Sequence, residues 1–201
     1  MKKKIVIIVL AAFVLLGGVM FFRLKNPLNA GIQPLQAAQK QMNGNYVEIS
    51  FSYTKLSTIA SNQFAIWIED MDGRHVKTLY ATRFTGLGGY RRRPKSLPLW
   101  VSTAKPDSMP KDEIDAFTGA TPKTGQYFIY WDFTDNKGRP VTGTQYRYVF
   151  EGTMYNDDNV HYSGIIFTDN EKWEDIPTPT YSKDNSDKKS MLVNVKTVST
   201  K

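Results

Sequence analysis

Seven residues in the middle of the chain, Asp115-Ala116-Phe117-Thr118-Gly119-Ala120-Thr121, bring a carboxylate, two hydroxyls and three small residues into one short stretch. A threonine hydroxyl is a weak nucleophile. Chemistry at Thr121 therefore needs a base and a metal brought by another enzyme, and from this chain an accessible hydroxyl on pliable backbone. Gly119 and Ala120 leave space for close approach, Gly119 is free to take positive φ, and Pro122 biases Thr121 to an extended conformation. A structural reading of the same residues makes Gly119 the C′ residue that closes a short helix over 111–116, with Ala120 and Thr121 leading into the next strand.

The other reactive side chains are sparser. Arg91, Arg92, Arg93 and Lys95 form the dense basic run of the body, suited to a phosphate or an acidic partner, or simply to a solvated loop face. Trp67, Trp100, Tyr127 and Tyr130 carry rings able to stack on a flat ligand, yet each falls in strand or helix periodicity and reads as core. Asp70, Asp72, Asp132 and Asp135 lack the alternate-ligand spacing of a calcium loop, so turn chemistry explains them better. Trp131 and Asp132 read as a core ring beside an aspartate that steadies the turn into 136–138. His75 and His161 lie far apart and suggest neither a triad nor a metal site. With no cysteine, the chain has no disulfide, thiol nucleophile or iron–sulfur cluster. It also lacks G-x-S-x-G and H-E-x-x-H, which leaves a hydrolase without visible machinery.

The elements that must position these residues are mostly strands. Val47, Ile49, Phe51 and Tyr53 alternate with polar neighbours, the period of a half-buried strand. Phe64, Ile66 and Ile68 form a second run, with Trp67 on the opposite face, and the Asp72-Gly73 pair turns it into a third over 76–81. Leu97, Trp100, Val101 and Ala104 repeat at helical spacing behind Ser96, placed as an N-cap. The helix would cover one face or edge of a sheet. The stretch 106–125 reads as a polar loop with one helical turn over 111–116. Strands over 127–133, 145–155 and 160–168 follow, separated by the turn-rich DNKGRPVTG and NDDN, and MLVNVKTV reads as a last strand after a polar excursion over 177–189. Regularly spaced antiparallel strands argue for a β-sandwich. No internal repeat is evident.

The amino-terminal segment sets the compartment. Residues 5–22 are eighteen uncharged residues behind Lys2, Lys3 and Lys4, about 27 Å of helix, close to a hydrocarbon core. Positive charge favours the cytoplasmic side, so the reading is a single-pass anchor in the cytoplasmic membrane with the body outside. A cleaved signal peptide ending at Ala30 or Ala38 is the alternative, and both send the body out. Residues 1–25 are thus membrane anchor or signal peptide, 26–44 a Gln-rich spacer, and 45–201 one domain. The net charge of +7 owes five charges to the anchor's flanks. After residue 30 there are 21 Lys and Arg against 19 Asp and Glu, a balance that does not suit a nucleic-acid binder.

The stretch GQYFIYWDFTDNKGRPVTGTQYRYVFEGT, read as strand, D-x-x-G turn and strand, resembles the immunoglobulin-like module of flagellar hook-capping proteins and cell-surface carbohydrate proteins. Extended backwards over FAIWIEDMDGRHVKTLYAT, LPLW and TGATPKTG, the chain from Asn45 to Thr168 is similar to the periplasmic family known as domain of unknown function 2271. The resemblance implies a mainly β fold, an immunoglobulin-like antiparallel β-sandwich with one short helix. It implies no activity.

DAFTGAT resembles the D-x-x-[ST]-G-A-[ST] pattern that a secreted FAD:protein FMN transferase recognises in FMN-binding subunits of sodium-pumping NADH:quinone reductases. By that resemblance Thr121 would hold FMN through a phosphoester, with Asp115, Thr118, Gly119 and Ala120 as recognition residues. The expectation is a membrane-anchored, extracytoplasmic redox protein that carries covalent FMN for electron transfer. Its partners would be the transferase and a redox protein of the same membrane. The alternative is a non-catalytic immunoglobulin-like binding or scaffold module of an extracytoplasmic complex.

Overall fold

The computed structural model describes residues 33–35, 44–155, 157–169, 172–183 and 189–199. The apolar segment 5–22 and most of the spacer lie outside these residues. Among the described residues no helix is long and apolar enough to cross a membrane.

In chain order the strands are β1 (Gln33–Pro34), β2 (Val47–Tyr53), β3 (Gln63–Asp70), β4 (His75–Thr82), β5 (Thr118–Gly119) and β6 (Gly125–Trp131), then β7 (Gln145–Tyr155), β8 (Asp158–Phe167), β9 (Glu174–Asp175), β10 (Thr180–Tyr181) and β11 (Leu192–Ser199). The helices, α1 (Arg83–Gly86), α2 (Pro98–Ala104) and α3 (Lys111–Phe117), all fall between β4 and β5, together with two 3₁₀ turns. The strands form a five-stranded sheet in the order β1-β6-β2-β11-β9 and a six-stranded sheet in the order β10-β8-β7-β3-β4-β5.

Alternation explains the five-stranded sheet. In β2 the residues Val47, Ile49, Phe51 and Tyr53 are buried and those between them partly exposed; β6 pairs with it antiparallel, Ile49 opposite Ile129 and Val47 opposite Trp131. The buried faces of the two sheets share one core: the Phe51 ring lies 5.8 Å from Phe64 and 4.7 Å from Phe150, between centroids. Each fully buried large side chain contributes about 1.5–3 kcal/mol. In a chain without disulfides this core must hold the fold.

Strand β3 departs from alternation, because it is buried on both faces. Ile66 and Ile68 face the shared core, whereas Ala65 and Trp67 belong to a second cluster closed by Leu97, Trp100 and Ala104 of the α2 region and by Phe117 of α3. The expected single short helix is therefore three α-helices, since both faces of β3 need cover. Nor is α2 capped by Ser96. Leu97 is the N-cap residue in left-handed conformation, φ 54°, and the Glu151 carboxylate reaches across from β7 to accept from Leu99 N at 3.2 Å and Trp100 N at 2.8 Å. Ser96 hydroxyl pairs instead with Thr85 Oγ1.

Short pairings revise three more expectations. Gln33 and Pro34, expected in a plain spacer, pair in parallel with β6. Thr180 and Tyr181, within the polar excursion, pair with β8. Thr118 and Gly119, expected in a loop, pair in parallel with Ala81 and Thr82.

Candidate functional site

The stretch 115–121 leaves α3 and runs along the edge of the six-stranded sheet. The helical turn before it sends Phe117 into the second cluster, 6.0 Å from Trp100, while Asp115 and Ala116 stay exposed. Thr118 is extended, not left-handed, so the helix ends without a glycine C′ residue. Gly119 takes no positive φ either. Its small size has another cause: a Cβ there would stand 2.5 Å from Tyr80 Cε2 and 2.9 Å from the Tyr80 hydroxyl. That hydroxyl donates to Ala120 O at 2.7 Å, so Tyr80 both demands the glycine and pins the next peptide. Burial pushes the Tyr80 phenol well above its ordinary pKa, so it stays a donor.

Thr121 is held differently. It is partly buried, and its hydroxyl donates to Asn62 O at 3.5 Å, long against an ordinary O–H···O distance of about 2.7–2.8 Å. The fold thus makes little use of this hydroxyl. Ala120, Lys123 and Thr124 around it are exposed. The structure strings Thr118, Gly119, Ala120 and Thr121 along one edge, with Asp115 a turn of helix before them. Asn62 and Tyr80, which position the stretch, lie 59 and 40 residues away in sequence. Nothing local announces either.

The aspartates have structural employment. Asp70 Oδ1 accepts from the amides of Asp72 and Arg74 at 3.0 and 2.9 Å, and its Oδ2 from Arg74 Nε at 2.7 Å, over Gly73 at φ 81°. Asp135 repeats this: Oδ1 accepts from Lys137 N and Arg139 N at 2.9 and 3.0 Å, Oδ2 from Arg139 Nε at 2.8 Å, over Gly138 at φ 73°. The two segments share the pattern D-x-x-G-R-x-V at 70–76 and 135–141, a local repeat too short to register as periodicity. They meet around one surface cavity of about 380 Å³ that touches Asp70, Val76, Asp135 and Arg139. Asp132 does not build the second turn; it accepts from Lys77 Nζ at 2.8 Å and Thr134 Oγ1 at 2.6 Å. Trp131 is fully buried and donates from Nε1 to Thr134 O at 2.9 Å. Among the described residues no group of His, Asp and Glu could hold a metal ion.

The histidines are equally occupied. Trp100 Nε1 donates to Thr78 Oγ1 at 3.1 Å, and His75 Nε2 shares a hydrogen bond with the same hydroxyl at 2.8 Å. Burial pulls His75 down to about 4. His161 Nε2 lies 3.2 Å from Glu151 Oε1, part of the α2 cap. Trp67 and Trp100 are fully buried, and Tyr127 nearly so. Tyr130 is half-buried between Tyr46 and Phe128, with centroids 4.5 and 5.0 Å away.

The basic run splits. Arg91 pairs with Asp107, and Lys95 with Asp157 at 3.1 Å. Arg93 lies 3.9 Å over the Phe84 ring and donates weakly to Ser61 O at 3.3 Å, while its buried Nε has no hydrogen-bond partner among the described residues. Residues 59–61, 92–96 and Thr153 with Met154 enclose a cavity of about 440 Å³. From Arg83 to Lys105 there are six cations and no carboxylate.

No curated protein and no solved structure matches the chain. A family model described as a predicted periplasmic protein, DUF2271, matches residues 44–175, which takes in every long strand except β11 and the whole of 115–121. The chain, mainly β and built of two sheets around a shared core, belongs to this family of predicted periplasmic proteins.

Proposed function

We propose that this protein is an extracytoplasmic redox carrier, anchored by residues 5–22 and bearing FMN as a phosphoester on Thr121 of an immunoglobulin-like sandwich. The observation that carries the reading is the state of the Thr121 hydroxyl: partly exposed, with Ala120, Lys123 and Thr124 exposed around it, and tied to the rest of the described residues by one 3.5 Å contact. Replacing its proton by phosphorus therefore costs the fold little. The DAFTGAT motif supplies the recognition residues Asp115, Thr118, Gly119 and Ala120. The two-sheet, largely antiparallel architecture supports the immunoglobulin-like reading.

Attachment balances as a group transfer. The Thr121 oxygen attacks the FMN-side phosphorus of FAD, the new P–O bond forms as the pyrophosphate bond breaks, AMP leaves, and the hydroxyl proton passes to a base of the transferase. The residues present fit the group. An accessible hydroxyl, a backbone pinned at Ala120 by Tyr80, and a nearby arginine with an unused buried donor are what a tethered phosphorylated ring requires. Once bound, the flavin supplies electron acceptance and release; this chain's part is to hold and orient it.

Exported protein co-expressed with an FAD:protein FMN transferase should gain the mass of FMN less water and fluoresce in a denaturing gel. Thr121→Val, which keeps shape and removes the hydroxyl, should abolish the gain, and Asp115→Ala should reduce it. Wild-type protein left unmodified with an active transferase, FAD and magnesium would sink the proposal. A non-catalytic binding or scaffold module would then be the better account, with Gly119 explained by Tyr80 alone.

A further inference from the structure

We infer that the cavity enclosed by 59–61, 92–96, Thr153 and Met154 receives the isoalloxazine ring of the FMN carried by Thr121, with Arg93 as the cation beside the ring's anionic edge. The inference rests on the attachment reading and goes beyond it by assigning a seat for the ring.

Position is the first argument. Asn62 stands between the acceptor and the cavity: its carbonyl takes the Thr121 hydroxyl, while its side-chain Nδ2 donates to Met154 O at 2.9 Å. Ser61 and Met154, its neighbours in sequence and in space, both line the cavity. One residue of extended chain spans about 3.5 Å, and a phosphate with a five-carbon ribityl arm is longer than that. The arm is thus longer than the single residue, Asn62, that joins the Thr121 contact to the cavity lining.

Size and chemistry agree with a flavin. About 440 Å³ lies within the roughly 300–1,000 Å³ of small-molecule sites. Met154, buried, and the exposed Ile59 and Pro94 give it apolar lining for a flat ring. Arg93 supplies what the polar edge needs. Its Nε is buried and has no partner among the described residues, its two hydrogen bonds to Ser61 are long at 3.3 and 3.4 Å, and burial pulls its pKa down. A cation short of water is stabilised by an anion. A two-electron-reduced flavin, deprotonated at N1, places negative charge on that edge of the ring. Lys95, by contrast, is already paired with Asp157.

The test reads the ring, not activity. In flavinylated full-length protein the ring should be shielded from iodide quenching and show visible circular dichroism, and Ala60→Trp, which fills the cavity, should remove both while leaving the mass gain at Thr121. Arg93→Gln should weaken the reduced ring's stabilisation about tenfold, a midpoint about 30 mV more negative. A tether raises the local concentration to about millimolar, so unmodified protein should quench free FMN fluorescence saturably at or below about that concentration, and Ala60→Trp should not. Mass gain with potential, quenching and dichroism unchanged in both variants would overturn the seat and spare the attachment. No mass gain with saturable FMN binding would overturn the attachment and leave the cavity as a flavin site. Neither mass gain nor saturable binding would overturn both.

Discussion

The two D-x-x-G-R turns and the stretch 115–121 are made from the same kinds of residue, yet they use them in opposite ways. At 70–74 and 135–139 each aspartate spends both oxygens on amides and a guanidinium of its own turn, and each glycine is required by positive φ. At 115–121 Asp115 is exposed, Gly119 is required by a ring from β4, and Thr121 holds one long contact. A turn that satisfies itself has nothing left to offer a ligand. A segment held from outside keeps its own polar groups available, and that separates the two uses of Asp, Gly and Thr more sharply than residue type does.

The firmness of the turn end is tested first, where the effect is largest. Trp131 braces the second turn from beneath, buried against Phe133 and Tyr146, and Trp131→Ala should cost about 3–5 kcal/mol in urea unfolding. A variant that melts within a degree or two of wild type would show that the turn end does not depend on this ring.

Acid should loosen the same end. His75, at the foot of the first turn, is held down at about 4, against an ordinary 6.5. Between those values the unfolded chain binds the proton that the folded chain refuses, so stability falls as pH drops from 6.5 towards 4 and is unaffected by this group above 6.5. The loss is about 2 kcal/mol, discounted because the ring keeps some contact with water. His75→Gln should flatten that part of the curve; an unchanged slope would assign it to other groups.

The acceptor edge should respond differently. Gly119→Ala drives a methyl into Tyr80 and should cost about 1–3 kcal/mol, and by displacing the edge it should also lower FMN incorporation at Thr121. Asp70→Ala and Asp135→Ala, at exposed turns, should each cost less than this and leave incorporation unchanged. Equal incorporation in all three variants would erase the comparison drawn above.

How much of this was legible in the residues follows from the reach of each pattern. Alternation at Val47, Ile49, Phe51 and Tyr53 is local, and it predicted strand, face and core together. The spacing of Leu97, Trp100, Val101 and Ala104 predicted α2 for the same reason. Its cap was illegible, because Glu151 comes from β7 and the local Ser96 is diverted to Thr85. Two-residue strands at 33–34, 118–119 and 180–181 carry no period and could not be read. At the candidate site the motif drew attention to Thr121 and Gly119, but the reason for Gly119 is Tyr80, and the cavity lined by Arg93 and Met154 is assembled from three separated segments.

The placement of β5 also bears on solubility. A sheet that ends on a long, flat strand offers a ladder of unpaired amides and carbonyls on which a second molecule can add. Here β5 covers part of β4 with two residues, and Pro122, three positions after the second of them, lacks the amide needed to extend the ladder. The six-stranded sheet thus closes on the stretch that leads to Thr121, and aggregation through that edge is discouraged by the same short segment.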